Sequence, residues 1–274
     1  MRQLFKGWYF KHQNKDETLA VIPGYCKDHA FIQILTNQES HIYNFSSLQI
    51  RNGSIYIGDC SFSREGIVLL LPDIEGTITY GPLLQLSSDI MGPFRFFPME
   101  CRHSVISMNH TTTGTVMLGE KAYCFDQGKG YMEGDSGSSF PSSYLWLHCN
   151  DFVTPCSIMV SIATIPFYGL HFTGCICAIT YQGKEYRLAT YNGVRILAAT
   201  THHICLSQHR LLLEIEIQAG KKGKPLLSPK AGLMSGTIHE SCDARIRVRL
   251  WENHRLIVDE RSRRASFECM VGKG

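Results

Sequence analysis

The sequence predicts an all-β protein made of two antiparallel barrel- or sandwich-like halves. Three observations predict it. Short runs rich in β-branched and aromatic residues recur along the 274 residues, glycine and proline punctuate them, and no long helical period appears. A small barrel uses roughly eight strands, fewer than this chain offers, so two halves are expected, 1–126 and 127–274. With 44% apolar and 19% charged residues, the chain is also suited to burying a sizeable core.

In the first half the expected strands are 30–35, 41–45, 54–58, 66–71, 77–80 and 103–108, with a short helix over Leu83 to Asp89. The second half continues with 144–148, 176–181, 186–191, 211–218, 244–251 and 255–259. Residues 152–182 lack Asp, Glu, Lys and Arg and are long enough to cross a bilayer. Pro155, Pro166, Gly169 and Gly174 interrupt that run, and Ile158, Val160 and Ile162 recur with a period of two. Two buried strands around a turn at 165–169 fit better. Alternation is sharpest at 244–251, where Ala244, Ile246, Val248 and Leu250 oppose Arg245, Arg247 and Arg249. Glu214 and Glu216 on 211–218 would match that arginine face as an ordinary sheet ladder.

Twenty-seven Lys and Arg against twenty-four Asp and Glu give a net charge of +3, too small to imply a nucleic-acid partner. The clusters Lys221, Lys222, Lys224 and Arg261, Arg263, Arg264 read first as solvated turns, and next as contacts for anionic lipid. Eleven cysteines without paired spacing, and an N-terminus without an apolar leader, suggest a reduced, cytoplasmic protein.

Two stretches concentrate chemistry. In 128–143 Glu133 and Asp135 are two residues apart, so extended backbone turns both to one side, where they can divide acid and base duties. A surface turn in which they cap backbone amides is the plainer alternative. In 91–110 Glu100, His103 and His110 interrupt an aromatic and aliphatic run, and a buried Glu100 would need Arg95, Arg102 or His103 as partner. The string Gly134-Asp135-Ser136-Gly137 is shared with chymotrypsin-like proteases. Their histidine and aspartate lie well upstream of the serine, which this chain does not match. Neither His202, His203, Cys205 and His209 nor Cys175 and Cys177 has structural-zinc spacing, and no phosphate loop exists, so no metal is expected.

Six strings together resemble the tocopherol cyclase family, which is similar to carotenoid hydratases and other two-domain lipocalin-like proteins. They are LFKGWYFK at 4–11, MGPFRFFPMECRHSVISMNH at 91–110, GKGYMEGDSGSSFPSSYLWLHCN at 128–150, SIMVSIATIPFYG at 157–169, ATYNGVRI at 189–196 and LLSPKAGLMSGTIHES at 226–241. The resemblance implies two lipocalin-like halves with an apolar cavity at or near their interface. Gly130, Tyr131, Glu133, Asp135, Gly137, Ser139, Phe140 and Pro141 match the family's central motif. Ser136 stands where tryptophan is expected and Gly134 where lysine is common, which suggests an enlarged or wetter cavity and a changed substrate.

The activity implied is proton-initiated ring closure of a prenylated or isoprenoid lipid, or a related hydration or isomerisation, without a cofactor. Glu133 is the first choice for the proton donor, with Glu100 and Asp135 in reserve, and Asp135, His103 or His148 for the base. Trp8, Tyr9, Tyr131 and Trp146 would stabilise a cation, and His148 and Asn109 complete the expected substrate-binding set. The alternative is a non-catalytic carrier or sensor of apolar lipid in the same cavity. The match begins at Leu4, so the expectation is a protein without a transit peptide that contacts membranes peripherally to reach its ligand.

Overall fold

Antiparallel pairing dominates the structure, a computed structural model that describes residues 4–27, 29–167, 170–218 and 223–270. Among the described residues there is no α-helix, and the strands form one sheet of twelve and one of ten. The first sheet uses residues 5–137 and the second 144–270. No strand pairing closes either sheet into a barrel among the described residues, so the halves are sandwich-like.

Each half repeats one topological device. Its first strand pairs with its last: Phe5–Gln13 with Gly128–Gly137, and Tyr144–Cys149 with Arg255–Met270. Both pairs therefore lie inside their sheets, hydrogen-bonded on either side, while shorter strands such as Gln49–Arg51 and Arg195–Ala199 form edges. Interior strands supply the most rigid places for functional side chains.

Side-chain alternation divides the interior into three layers. Phe10, Val21, Ile32, Phe62 and Met132 belong to the core of the first half. Leu147, Val160, Cys177, Val248 and Phe267 belong to that of the second. Between the sheets a third layer joins Tyr9, Tyr131, Met108, Tyr144, Trp146, Met159 and Ile238. Each fully buried aliphatic or aromatic side chain contributes about 1.5–3 kcal/mol. Close approach of backbones fixes glycine at Gly114 (φ +136°), where a Cβ would sit 2.1 Å from the Thr77 carbonyl oxygen.

The apolar run at 152–182 forms the strands Cys156–Phe167 and Leu170–Tyr181, and the expected turn lies partly outside the described residues. No helix is long and apolar enough to cross a membrane among the described residues. The arginine and glutamate faces also meet as the alternation required, with Glu214 opposite Arg249 and Glu216 opposite Arg247. Of the basic clusters, Lys221 and Lys222 lie outside the described residues. None of the eleven cysteines is in a disulfide.

Two local expectations are corrected. Residues 83–89 form no helix, because the Leu84 amide and carbonyl bond Asn109 and Met108 of the strand Cys101–Leu118 instead of a helical turn. The strand expected at 186–191 ends at Ala189, where a 3-10 turn over Thr190–Asn192 stops on left-handed Gly193 (φ +79°).

Candidate functional site

A cavity of about 160 Å³ opens between the two sheets, beside the layer that joins them. Its walls are mostly apolar, with Phe5, Ile22, Phe94, Met99, Phe140 and Ile165 among them. Polar groups enter from the two interior strand pairs, so the device that closes each half also places the chemistry.

On the first sheet, alternation along Gly128–Gly137 sends Met132 into the first core and Tyr131, Glu133 and Asp135 toward the second sheet. Gly7 and His103 flank Asp135 in register, and the absent side chain at Gly7 leaves Asp135 open to the cavity. His103 stands between both acids, with Nδ1 2.9 Å from Asp135 Oδ1 and Nε2 3.2 Å from Glu133 Oε2. The same Glu133 oxygen accepts the Tyr131 hydroxyl at 2.5 Å and the Trp146 indole N–H at 3.3 Å. Donors converging on one oxygen favour the ionised carboxylate. Burial by itself would lower the His103 pKa, but the charges of Glu133 and Asp135 outweigh it and hold the imidazole well above its ordinary value. The first wall therefore places one imidazole between two carboxyl groups.

On the second sheet, Trp146 and Glu240 are the two cross-strand neighbours of Glu268. Glu268 faces the cavity, which leaves its side chain half-buried, and Tyr144 donates to it at 2.7 Å. Glu240 is buried behind the wall and accepts the Tyr9 hydroxyl and, at 3.7 Å, the Cys242 thiol. Burial raises both carboxyls, and their mutual repulsion raises Glu268 further, well above the carboxylate range. Such a pair titrates as a unit. The walls are also tied together: Tyr9 of the first sheet donates to Glu240 of the second, and Trp146 of the second donates to Glu133 of the first.

The wall includes Glu133, Asp135, His103, Trp8, Tyr9 and Trp146 from the residues singled out in the sequence. Glu100, Tyr131, His148 and Asn109 lie off it. Glu100 is half-buried, and burial raises its carboxyl while His171 counteracts that. Tyr131 is fully buried and acts on Glu133 from behind. Its ring stacks on His148 with centroids 3.5 Å apart, and burial pushes His148 well below the usual imidazole value, leaving it neutral. Asn109 accepts a hydrogen bond from Asn150 at 3.0 Å. Ser136 faces away from Glu133 and Asp135 by strand alternation and is not part of the wall.

Glu240, Glu268 and Tyr144 escaped the reading of the sequence as site residues. Glu240 and Tyr144 sit inside motif strings quoted above, and Glu268 alternates with Phe267 of the second core, which marks it as facing the other side. Ligand atoms of His103, Glu133 and Asp135 lie within 4.8 Å of one another, near enough to hold a metal ion. Each imidazole nitrogen lies beside a different carboxyl group.

Comparison with known proteins agrees with this architecture. The family model described as tocopherol cyclase-like matches residues 65–272, and the chain belongs to that family. It is 26% identical over 215 residues to a probable chloroplastic tocopherol cyclase of Oryza sativa subsp. japonica. That match covers 71% of this chain and 44% of the relative, so the matched region spans less than half the length of that protein. Among solved structures it resembles CghA bound to Sch210972, with a TM-score of 0.66 at 11% identity over 99% of this chain and 89% of the other. A putative AttH from Nitrosomonas europaea gives a TM-score of 0.57 at 9% identity over 96% and 92%. Kievitone hydratase from Nectria haematococca gives 0.55 at 11% over 97% and 89%. These likenesses show a shared two-domain fold.

Proposed function

We propose that this member of the tocopherol cyclase-like family catalyses acid–base ring closure of a prenylated hydroquinone, or the closely related hydration or isomerisation of an isoprenoid double bond. The observation that carries the reading is an apolar cavity whose polar lining consists largely of titratable groups held in different states. In the ring closure, a proton adds to the less substituted carbon of a trisubstituted double bond. A lone pair of the phenolic oxygen then bonds the resulting tertiary cation, and the phenolic proton passes to a carboxylate of the first wall. Atoms and electrons balance as an isomerisation, so the step needs no oxidant or reductant.

Glu133 and Asp135 suit the accepting role because His103 and the donors from Tyr131 and Trp146 stabilise negative charge there. The aromatic faces of Tyr9 and Trp146 line the path of the cation. Holding a flexible prenyl tail against its nucleophile can supply up to about 7–11 kcal/mol of the barrier reduction.

The test incubates purified protein with a panel of prenylated hydroquinones and follows chromanol formation. Turnover is expected to survive a chelator and to fall roughly 10²–10⁴-fold in Glu133→Gln, with lipid binding retained. Lipid bound without turnover by the wild type across the panel would replace this reading with that of a carrier or sensor.

A further inference from the structure

We infer that Glu268 is the catalytic acid, the group that delivers the proton to the bound double bond, with Glu240 as its positioning partner. The inference rests on the acid–base reading above and assigns to the second sheet a step that the first sheet is poorly placed to perform. Both Glu133 and Asp135 lie against the His103 imidazole, and Glu133 also takes two neutral donors. Their oxygens are thus engaged as hydrogen-bond acceptors on the first wall, not as free O–H donors facing the ligand.

Glu268 has the opposite surroundings. It reaches the cavity from the middle of the second sheet, beside Trp146 and directly across from Glu240. The side-chain hydrogen bond formed with it is that of Tyr144. The charged groups that act on it are the carboxylates of Glu240, Glu133 and Asp135, each of which opposes its ionisation. Two carboxyls opposed across neighbouring strands cannot both ionise cheaply, so one retains a proton. The surroundings decide which one. The Tyr9 hydroxyl, itself held by Ser266 at 3.2 Å, donates to Glu240, and this favours the anion there. The proton thus stays on Glu268, which faces the ligand.

The cycle follows with every atom placed. The Glu268 O–H bond breaks as the new C–H bond forms from the π pair, and Glu268 is left as carboxylate. The phenolic oxygen closes the ring, and its proton goes to Glu133 or Asp135 on the opposite wall. After product leaves, the proton gained by the first wall is released to solvent and Glu268 takes one up. The cavity separates donor and acceptor on two sheets, so the substrate lies between them and the two groups do not neutralise each other directly.

Infrared spectroscopy and turnover test this together in wild type, Glu268→Gln, Glu268→Asp, Glu240→Gln and Glu133→Gln. At neutral pH the wild type is expected to show the C=O stretching band of a buried protonated carboxyl. The band should vanish in Glu268→Gln and persist in Glu133→Gln. A band that persists in Glu268→Gln and vanishes in Glu133→Gln overturns the inference, as does a wild type without any such band. With an active quinol, Glu268→Gln should lose roughly 10²–10⁴-fold in kcat with KM little changed, and Glu268→Asp should recover part of it. Full activity in Glu268→Gln likewise overturns it. Glu240→Gln should cost less turnover than Glu268→Gln and should move the alkaline limb of the kcat profile to lower pH, which a merely structural role would leave in place. If the wild type turns over no quinol while the band follows Glu268, the failure lies with the proposed reaction and the donor role falls with it. The site of the neutral carboxyl would then still stand.

Discussion

The two walls of the cavity carry the same acidic side chains in different surroundings. Each presents an acid pair. In the first, His103 lies between Glu133 and Asp135, within 3.2 and 2.9 Å of their oxygens. In the second, Glu268 and Glu240 oppose each other across neighbouring strands, and the hydroxyls of Tyr144 and Tyr9 are their hydrogen-bonding neighbours. In the proposed reaction, acid and base roles are set by what surrounds each carboxyl.

The strongest way to break this contrast is to remove the cation from the first wall. His103→Phe leaves two carboxylates close together beside an apolar cavity. Loss of one partner from a buried charge cluster is expected to cost about 3–5 kcal/mol, read as a lower urea midpoint. Activity should fall with it. An unchanged midpoint would mean that the imidazole contributes no stability between the two acids and that the walls are alike.

A smaller effect sharpens the contrast through pH. Glu268 has a raised folded pKa, so the native state keeps a proton that the unfolded chain releases, and its contribution falls as pH rises from the ordinary carboxylate range toward the folded value. His103 is also raised, and its contribution is complete below the unfolded imidazole value and lost as pH climbs through the folded one. The windows differ although the sign is shared. Buried His12 and His110, pushed down to about 3 and about 4, act oppositely and destabilise the fold as pH falls below the imidazole range. The informative quantity is consequently a difference: relative to Glu268→Gln, the wild type should lose up to about 1.4 kcal/mol per pH unit across the lower window. Parallel curves would show that Glu268 titrates as it does in the unfolded chain.

These effects also show which parts of the molecule were readable from the chain alone. Period-two alternation was enough to pair the glutamates of Leu211–Gln218 with the arginines of Leu233–Glu252, because that ladder is written in local pattern. It also placed Glu133 and Asp135 on one side. The interior strand Gly128–Gly137 was not among the expected strands, because Gly130, Gly134 and Gly137 lower local strand propensity while tertiary pairing on both sides compensates. Glu268 was harder still. Its character depends on Glu240, and only the register between two long strands with shifts in it brings the pair together.

The link between the walls yields a lesser prediction. Trp146 shares its cross-strand row with Glu268 and donates its indole N–H to Glu133. Trp146→Phe keeps a ring against the cavity and removes that donor. Since Tyr131 and His103 still reach the same oxygen, the expected cost is only about 1 kcal/mol, measured by denaturant unfolding. A loss several times larger would mean that the bond between sheets, more than the imidazole, fixes Glu133.

The smallest expected effect concerns Ser136, where the family motif has a tryptophan. The alternation that turns Glu133 and Asp135 into the cavity turns Ser136 to the other face, in register with Lys6 and Arg102. Lys6 already lies 4.8 Å from the Trp8 ring centroid, so a second indole would meet cations at a partly exposed margin. Ser136→Trp is therefore expected to change stability by no more than about 0.5 kcal/mol and to leave the affinity for a fluorescent apolar ligand where it was. An affinity change of tenfold or more would show that the tryptophan position shapes the ligand space, and the division between a chemical face and a packing face of the strand Gly128–Gly137 would have to be redrawn.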